Sequence, residues 1–76
     1  MSDEFTIESK TVETLRVRHV PHGHRYIFAI RERPGRRFLW VGPIIGNAKA
    51  SVPAMMLRDE ARAFAEREAR KAGLID

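Results

Sequence analysis

Apolar and charged residues alternate along the first half of the chain, which is the period-two pattern of strands that bury one face. Short segments containing proline and glycine separate three such runs and predict hairpin loops between them. The predicted antiparallel strands cover residues 14–20, with a start as early as Val12, residues 25–33 and residues 36–41. Pro34 and Gly35 predict a type II turn, because proline presets the first φ and glycine accepts a positive second φ.

The pattern changes to a helical period in the second half. Residues 42–52 contain glycine, proline and asparagine and predict a loop, whereas residues 53–72 predict a helix that stops at Gly73. Apolar side chains recur on one stripe of this helix, which indicates the face that packs on the sheet. The stripe consists of Ala54, Leu57, Ala61, Phe64, Ala65 and Ala72.

Seventy-six residues form one domain with one small core, because a chain of this length buries only about 60% of its unfolded surface. The predicted fold over residues 1–76 is therefore α+β, a three-stranded antiparallel sheet over residues 12–41 that one C-terminal helix covers. Residues 1–10 remain open between two interpretations. They form either a loose acidic arm or a fourth, edge strand over residues 5–8 that uses Phe5 and Ile7.

The predicted register separates the side chains into two faces. The turn at Pro34 pairs Arg31 with Phe38, and the first hairpin is predicted to pair Val17 with Phe28 and Leu15 with Ile30. The face toward the helix then carries Leu15, Val17, Phe28, Ile30, Leu39 and Val41. The opposite face, called here the outer face, carries Arg16, Arg18, Arg25, Ile27, Ala29, Arg31, Arg33, Phe38 and Trp40.

Charge is distributed unevenly along the chain. The whole sequence has a formal net charge of +4, but residues 1–13 carry a net −3 and residues 14–40 a net +6. The predicted helix is nearly neutral. The excess of positive charge therefore belongs to the sheet, which favours an anionic partner there.

Arginines interspersed with aromatic rings on an exposed sheet suit nucleic acid, since guanidinium groups pair with phosphates or base edges and rings stack on unpaired bases. The candidate binding residues are Arg16, Arg18, Arg25, Arg31, Arg33, Arg36, Arg37, Phe38 and Trp40. Three alternatives remain. The arginines keep the outer face soluble while their stems cover the rings, the rings anchor a protein interface, or two copies bury Phe38 and Trp40 in a homodimer.

His19, His22 and His24 lie within six residues at the first hairpin and are weak candidates for a metal site, because imidazole is a common ligand. The sequence favours a solvated loop instead, since no cysteine and no nearby acid complete a ligand shell. No arrangement of nucleophile, base or phosphate-binding loop is evident, so we expect neither an enzyme nor a cofactor. The absence of a long apolar stretch and of a signal peptide predicts a cytoplasmic protein without a membrane partner.

One resemblance spans residues 14–72. The order of strands and helix resembles the arm-type or AP2-like DNA-binding domains at the start of phage integrases. The residues that carry it are Arg25, Tyr26, Phe28, Ile30, Arg36, Arg37, Phe38 and then Glu60, Ala61, Ala63, Phe64, Ala65 and Glu66. In that family the sheet enters the DNA major groove, which implies roles for Arg16, Arg18, Arg31 and Trp40.

The chain is also similar, as a small free-standing basic domain, to phage and mobile-element inhibitors of host defence such as anti-CRISPR proteins. This resemblance implies an inhibitor or adaptor whose partner is a nucleic-acid-processing protein complex, bound through the same outer face.

Overall fold

The computed structural model describes residues 4–76, so residues 1–3 of the predicted acidic arm lie outside the described residues. Four antiparallel strands form one open sheet in the order β1-β2-β3-β4, followed by a 3-10 turn and one α-helix. The elements are β1 (Phe5–Lys10), β2 (Thr14–His19), β3 (Arg25–Arg33), β4 (Arg36–Ile45), a 3-10 helix (Ala54–Leu57) and α1 (Arg58–Lys71). The predicted α+β class is confirmed, and the segment left open as an arm or a strand is an edge strand.

Strand β4 continues four residues beyond its predicted end at residue 41. Gly42 and Pro43 of β4 lie opposite the single residue Ile27 of β3, where the register shifts. A Cβ atom on residue 42 would stand 2.7 Å from the carbonyl oxygen of Ile27, so this bulge requires glycine. Proline is tolerated beside it because β4 is an edge strand. The predicted loop over residues 42–52 therefore starts only after Ile45.

The predicted register of the first hairpin is wrong by two residues. The structure pairs Leu15 with Phe28 and Val17 with Tyr26. The cause is the loop, in which the N–H of His19 donates to the carbonyl of His24 and Gly23 adopts φ 72°. This closure fixes a four-residue connection. A shift of two residues preserves the faces, so the separation of apolar from charged side chains is as predicted.

The helix begins later than predicted. Pro53 has extended backbone angles, a 3-10 turn follows it, and α1 starts only at Arg58. The buried stripe of α1 consists of Ala61, Phe64, Ala65 and Ala69. Ala72, predicted on that stripe, is exposed because the helix ends at Lys71, one residue before it.

The core lies between α1 and the helix-facing side of the sheet. Leu15, Val17, Tyr26, Phe28 and Leu39 are buried there, while Ile30 and Val41 are only partly buried at its margin. Two further contributors come from outside the predicted three-stranded sheet and helix. Phe5 of β1 stacks on Phe64 of α1 with ring centroids 5.7 Å apart, and Ile75 is buried beyond the helix. The helix thus occupies one side of the sheet and leaves the outer face uncovered by any other element of residues 4–76.

Candidate functional site

The outer face is organised in rows that run across the strands. Register places Arg18 beside Arg25, Arg16 beside Ile27, and Ala29 beside Trp40. The next two rows pair Arg31 with Phe38 and Arg33 with Arg36. An apolar middle, formed by Ile27, Ala29 and Trp40, therefore lies between two groups of arginines.

Five arginines of this face form no ion pair with a residue in the described part of the chain. These five, the unpaired arginines, are Arg16, Arg18, Arg31, Arg33 and Arg36. The Nε atom of Arg18 is buried and has no hydrogen-bond partner among residues 4–76. A charged donor left without an acceptor is costly in a folded protein. The capacity of this face to bind an anion lies in the four unpaired arginines that are exposed, Arg16, Arg31, Arg33 and Arg36.

Two of the candidate arginines are already neutralised. Strand β1 brings Glu8 to the outer face, where its Oε1 atom accepts from Nε of Arg25 at 2.9 Å. Arg37 is one residue out of phase with Phe38 and projects to the helix side of the sheet. Its guanidinium lies 3.5 Å from Oδ1 of Asp76. The structure therefore places all the predicted binding residues on the outer face except Arg37. The charge of Arg25 is neutralised there by Glu8.

Asp76 also contacts the backbone of Arg37. The N–H of Arg37 donates to Oδ2 of Asp76 at 2.9 Å, and this bond holds the pKa of the Asp76 carboxyl below its ordinary value. The positive charges of Arg37 and Arg36 lower that pKa further.

The aromatic residues of the outer face differ in exposure and contacts. Trp40 is 54% exposed, and its ring has no aromatic or cation contact with a residue of the described chain. Phe38 is half-buried, and the Cζ atom of Arg33 lies 5.5 Å from the centroid of its ring. A shallow groove runs between these rings and the Arg31–Arg33 segment. Trp40 therefore presents the available ring surface.

Sequence reasoning missed two residues of this surface. Ile45 is 49% exposed and pairs with Arg25 at the end of β4, and it was missed because the strand was predicted to stop before the bulge. Glu8 alternates with the inward-facing Phe5 and Ile7, and it was missed because residues 1–10 were left open between a loose arm and a strand. Alternation places Glu8 once β1 is taken as a strand, but no alternation of residue types signals the bulge that extends β4 to Ile45.

The prediction of a solvated histidine loop is wrong. His19 and His24 are both 1% exposed. The N–H of Asn47 donates to Nδ1 of His24 at 2.9 Å, so this nitrogen carries no proton and Nε2 donates to the carbonyl of Val52 at 2.6 Å. Burial is possible because neutral His24 has one donor and one acceptor and both are satisfied.

The histidines do not converge as metal ligands. Nδ1 of His22 lies 3.2 Å from Nδ1 of His19, while both ring nitrogens of His24 are already hydrogen-bonded. The other nitrogen of His19, Nε2, lies 3.6 Å from Oε1 of Glu4. Within residues 4–76, no group of three or more histidine or acidic side chains is arranged to hold a metal ion. The cluster instead joins β2, the hairpin loop and the segment around Asn47.

No protein-family model, curated protein or solved structure matches this chain. The resemblances to integrase arm domains and to phage inhibitors therefore stay predictions. None of the helices in the described range has the length and apolar character needed to cross a bilayer.

Proposed function

We propose that this protein is a small non-enzymatic module that binds nucleic acid through its outer face. The observation that carries the proposal is the set of five unpaired arginines beside an exposed tryptophan. Guanidinium groups form bidentate hydrogen bonds with phosphate oxygens, and a polyanion would supply the acceptors that the outer face lacks.

The helix side of the molecule supports the same assignment by contrast. Arg62 and Arg58 of α1 lie 3.5 Å and 3.7 Å from carboxylate oxygens of Glu66 and Asp59. These pairs reduce the positive potential of the helix surface at short range. A nucleic acid therefore gains more from the sheet than from the helix, although both carry several arginines.

The test is fluorescence anisotropy with labelled duplex and single-stranded probes between about 50 and 200 mM salt. Replacing Arg16, Arg18 and Arg31 with alanine should weaken binding at low salt. It should also reduce the slope of log K against log salt by about 2 to 3, because each lost phosphate contact removes roughly 0.7 to 0.9 from that slope.

A matched control removes the same charge from the helix. The triple variant of Arg58, Arg70 and Lys71 to alanine lowers the net charge equally and leaves the outer face intact. It should retain most of the affinity and slope. Equal losses in the two triple variants, or no binding to any probe at low salt, would contradict the proposal.

A second candidate function is an inhibitor or adaptor that docks on a nucleic-acid-processing complex. The observation in its favour is the exposed apolar pair on β4, Trp40 and Ile45, since tryptophan and arginine are common anchors of protein interfaces. This candidate predicts that free probes are not bound at any salt concentration, while capture of such a complex depends on Trp40. The anisotropy titration therefore separates the two functions.

A further inference from the structure

The middle of the outer face carries the aromatic ring of Trp40 and no charged side chain. Trp40 pairs with Ala29, whose small side chain leaves the ring 54% exposed. Ile27 lies one row away on β3 and is partly buried. An apolar surface between charged groups contributes to binding only if the partner also presents an apolar plane.

The unpaired arginines stand on both sides of that plane. Arg16 and Arg18 lie on β2 toward one end, and Arg31, Arg33 and Arg36 lie on β3 and β4 toward the other. Eight residues of β3 separate the row of Arg18 from the row of Arg33, which corresponds to about 26 Å at roughly 3.3 Å per residue. A track of that length accommodates several nucleotides, as in known single-strand sites of about 4 to 16 nucleotides.

A duplex does not fit this arrangement well. Its bases are stacked and expose only their edges in the grooves, so Trp40 would find no base plane to contact. The major groove is about 12 Å wide and admits a helix or a two-stranded ribbon. Four strands at about 4.8 Å spacing place the outer strand axes about 14 Å apart, which is too broad to enter the groove as one unit.

We infer that the outer face binds an unpaired polynucleotide strand, with one base stacked on Trp40 and the flanking phosphates held by the unpaired arginines. The inference rests on the proposed function and specifies its ligand. It differs from the duplex DNA that the integrase resemblance implies. The ring of Phe38 is less available, since Arg33 already lies against it.

The chain contains a single tryptophan, so its intrinsic fluorescence reports on Trp40 alone. Oligomers of about 12 nucleotides, within the range of known single-strand sites, serve as probes in three forms: oligo(dT), oligo(rU) and a mixed-sequence duplex. Single strands should quench the fluorescence and bind more tightly than the duplex. The ratio of the two single-strand affinities then identifies DNA or RNA as the preferred strand.

Trp40→Ala, measured by anisotropy, should weaken single-strand binding roughly 5- to 150-fold, the range for loss of one base stack. Trp40→Phe should recover part of that loss because it restores a ring. Met56→Ala is the control, since Met56 is 73% exposed on the 3-10 helix and belongs to no part of the outer face. Circular dichroism of each variant checks that it is folded.

Three outcomes are distinct. Tighter single-strand binding with quenching and the Trp40→Ala loss supports the inference. Equal or tighter duplex binding that depends on Arg16, Arg18 and Arg31 but leaves Trp40 fluorescence unchanged overturns it, while the proposed nucleic-acid function stands. Absence of binding to all three probes at low salt overturns both.

Discussion

The two ends of the sheet are both dense in ionisable side chains, yet the protein treats them in opposite ways. At the histidine end, residues 19–24, two of three imidazoles are buried and His24 has both ring nitrogens hydrogen-bonded. At the arginine end, residues 31–37, Arg31, Arg33 and Arg36 are exposed and form no ion pair within residues 4–76. The difference follows from chemistry. A neutral imidazole needs one donor and one acceptor, whereas a guanidinium always carries a charge and five N–H donors.

This contrast assigns different roles to the two ends. The histidine end connects the first hairpin to the segment after β4 through Asn47 and Val52, and these hydrogen bonds stabilise the fold. Among residues 4–76, only Nε2 of His19 is buried at this end without a hydrogen-bond partner. The arginine end has few internal side-chain bonds beyond those between Arg37 and Asp76. Substitutions should therefore change stability at one end and binding at the other.

The largest effect is expected for His24→Ala. This change removes a fully buried ring together with two hydrogen bonds, and it leaves the Val52 carbonyl and the Asn47 N–H without partners. We expect a loss of about 2 to 4 kcal/mol in the free energy of unfolding, measured by urea denaturation. Arg33→Ala at the other end should change that quantity by no more than about 0.5 kcal/mol while it weakens nucleic-acid binding. Equal losses of stability would remove the distinction between the two ends.

An intermediate effect is expected for Tyr26→Phe. The hydroxyl of Tyr26 donates to the carbonyl of Ala54 at 2.7 Å and ties the 3-10 helix to the sheet. Its loss should cost about 1 kcal/mol in the free energy of unfolding.

The same tyrosine predicts a sensitivity to alkaline pH. Burial, assisted by the charge of Glu60, raises the pKa of Tyr26 above its ordinary value of 10.0. The stabilising contribution is thus complete below pH 10.0 and is lost as pH rises through the raised value, because the phenolate donates no hydrogen bond. Unfolding measured across that range should show a smaller decline in Tyr26→Phe. An identical alkaline decline in the two proteins would contradict this role.

Alternation of residue types was sufficient to predict the faces of the sheet. The apolar set of Leu15, Val17, Phe28 and Leu39 is buried as expected, because a one-residue slip would bury arginines. Alternation does not fix the pairing of a hairpin, which depends here on the loop closed by Gly23. It also fails at the bulge of Gly42, where proline and glycine resemble the start of a loop.

The candidate site, like the fold, could be predicted only as far as the alternation of side chains along each strand allows. The positions of the arginines and Trp40 follow from strand parity, but their ionic partners do not. Glu8 and Asp76 lie 17 and 39 residues from the arginines they contact, so only the folded chain shows that Arg25 and Arg37 are neutralised. The buried histidines were misassigned for the same reason, since Asn47 and Val52 are distant in sequence.

The smallest effect on stability is expected for Asp76→Asn. Asp76 is the ionic partner of Arg37, which is why Arg37 is not one of the unpaired arginines. The hydrogen bond from the Arg37 N–H lowers the pKa of Asp76 below its ordinary value of 3.8. A carboxyl with a lowered folded-state pKa stabilises the protein above pH 3.8 and loses that contribution as pH falls through the lowered value. Asp76→Asn should therefore lower Tm slightly at neutral pH, and the difference from the unmodified protein should shrink below pH 3.8.

Asp59→Asn is the matched control, because Asp59 is 93% exposed and makes only a 3.7 Å pair with Arg58. Both variants remove one negative charge, but Asp76 also lies within electrostatic range of Arg36, so Asp76→Asn should raise nucleic-acid affinity slightly more than Asp59→Asn. A selective gain well beyond that small difference would mean that Arg37, once released, reaches the ligand.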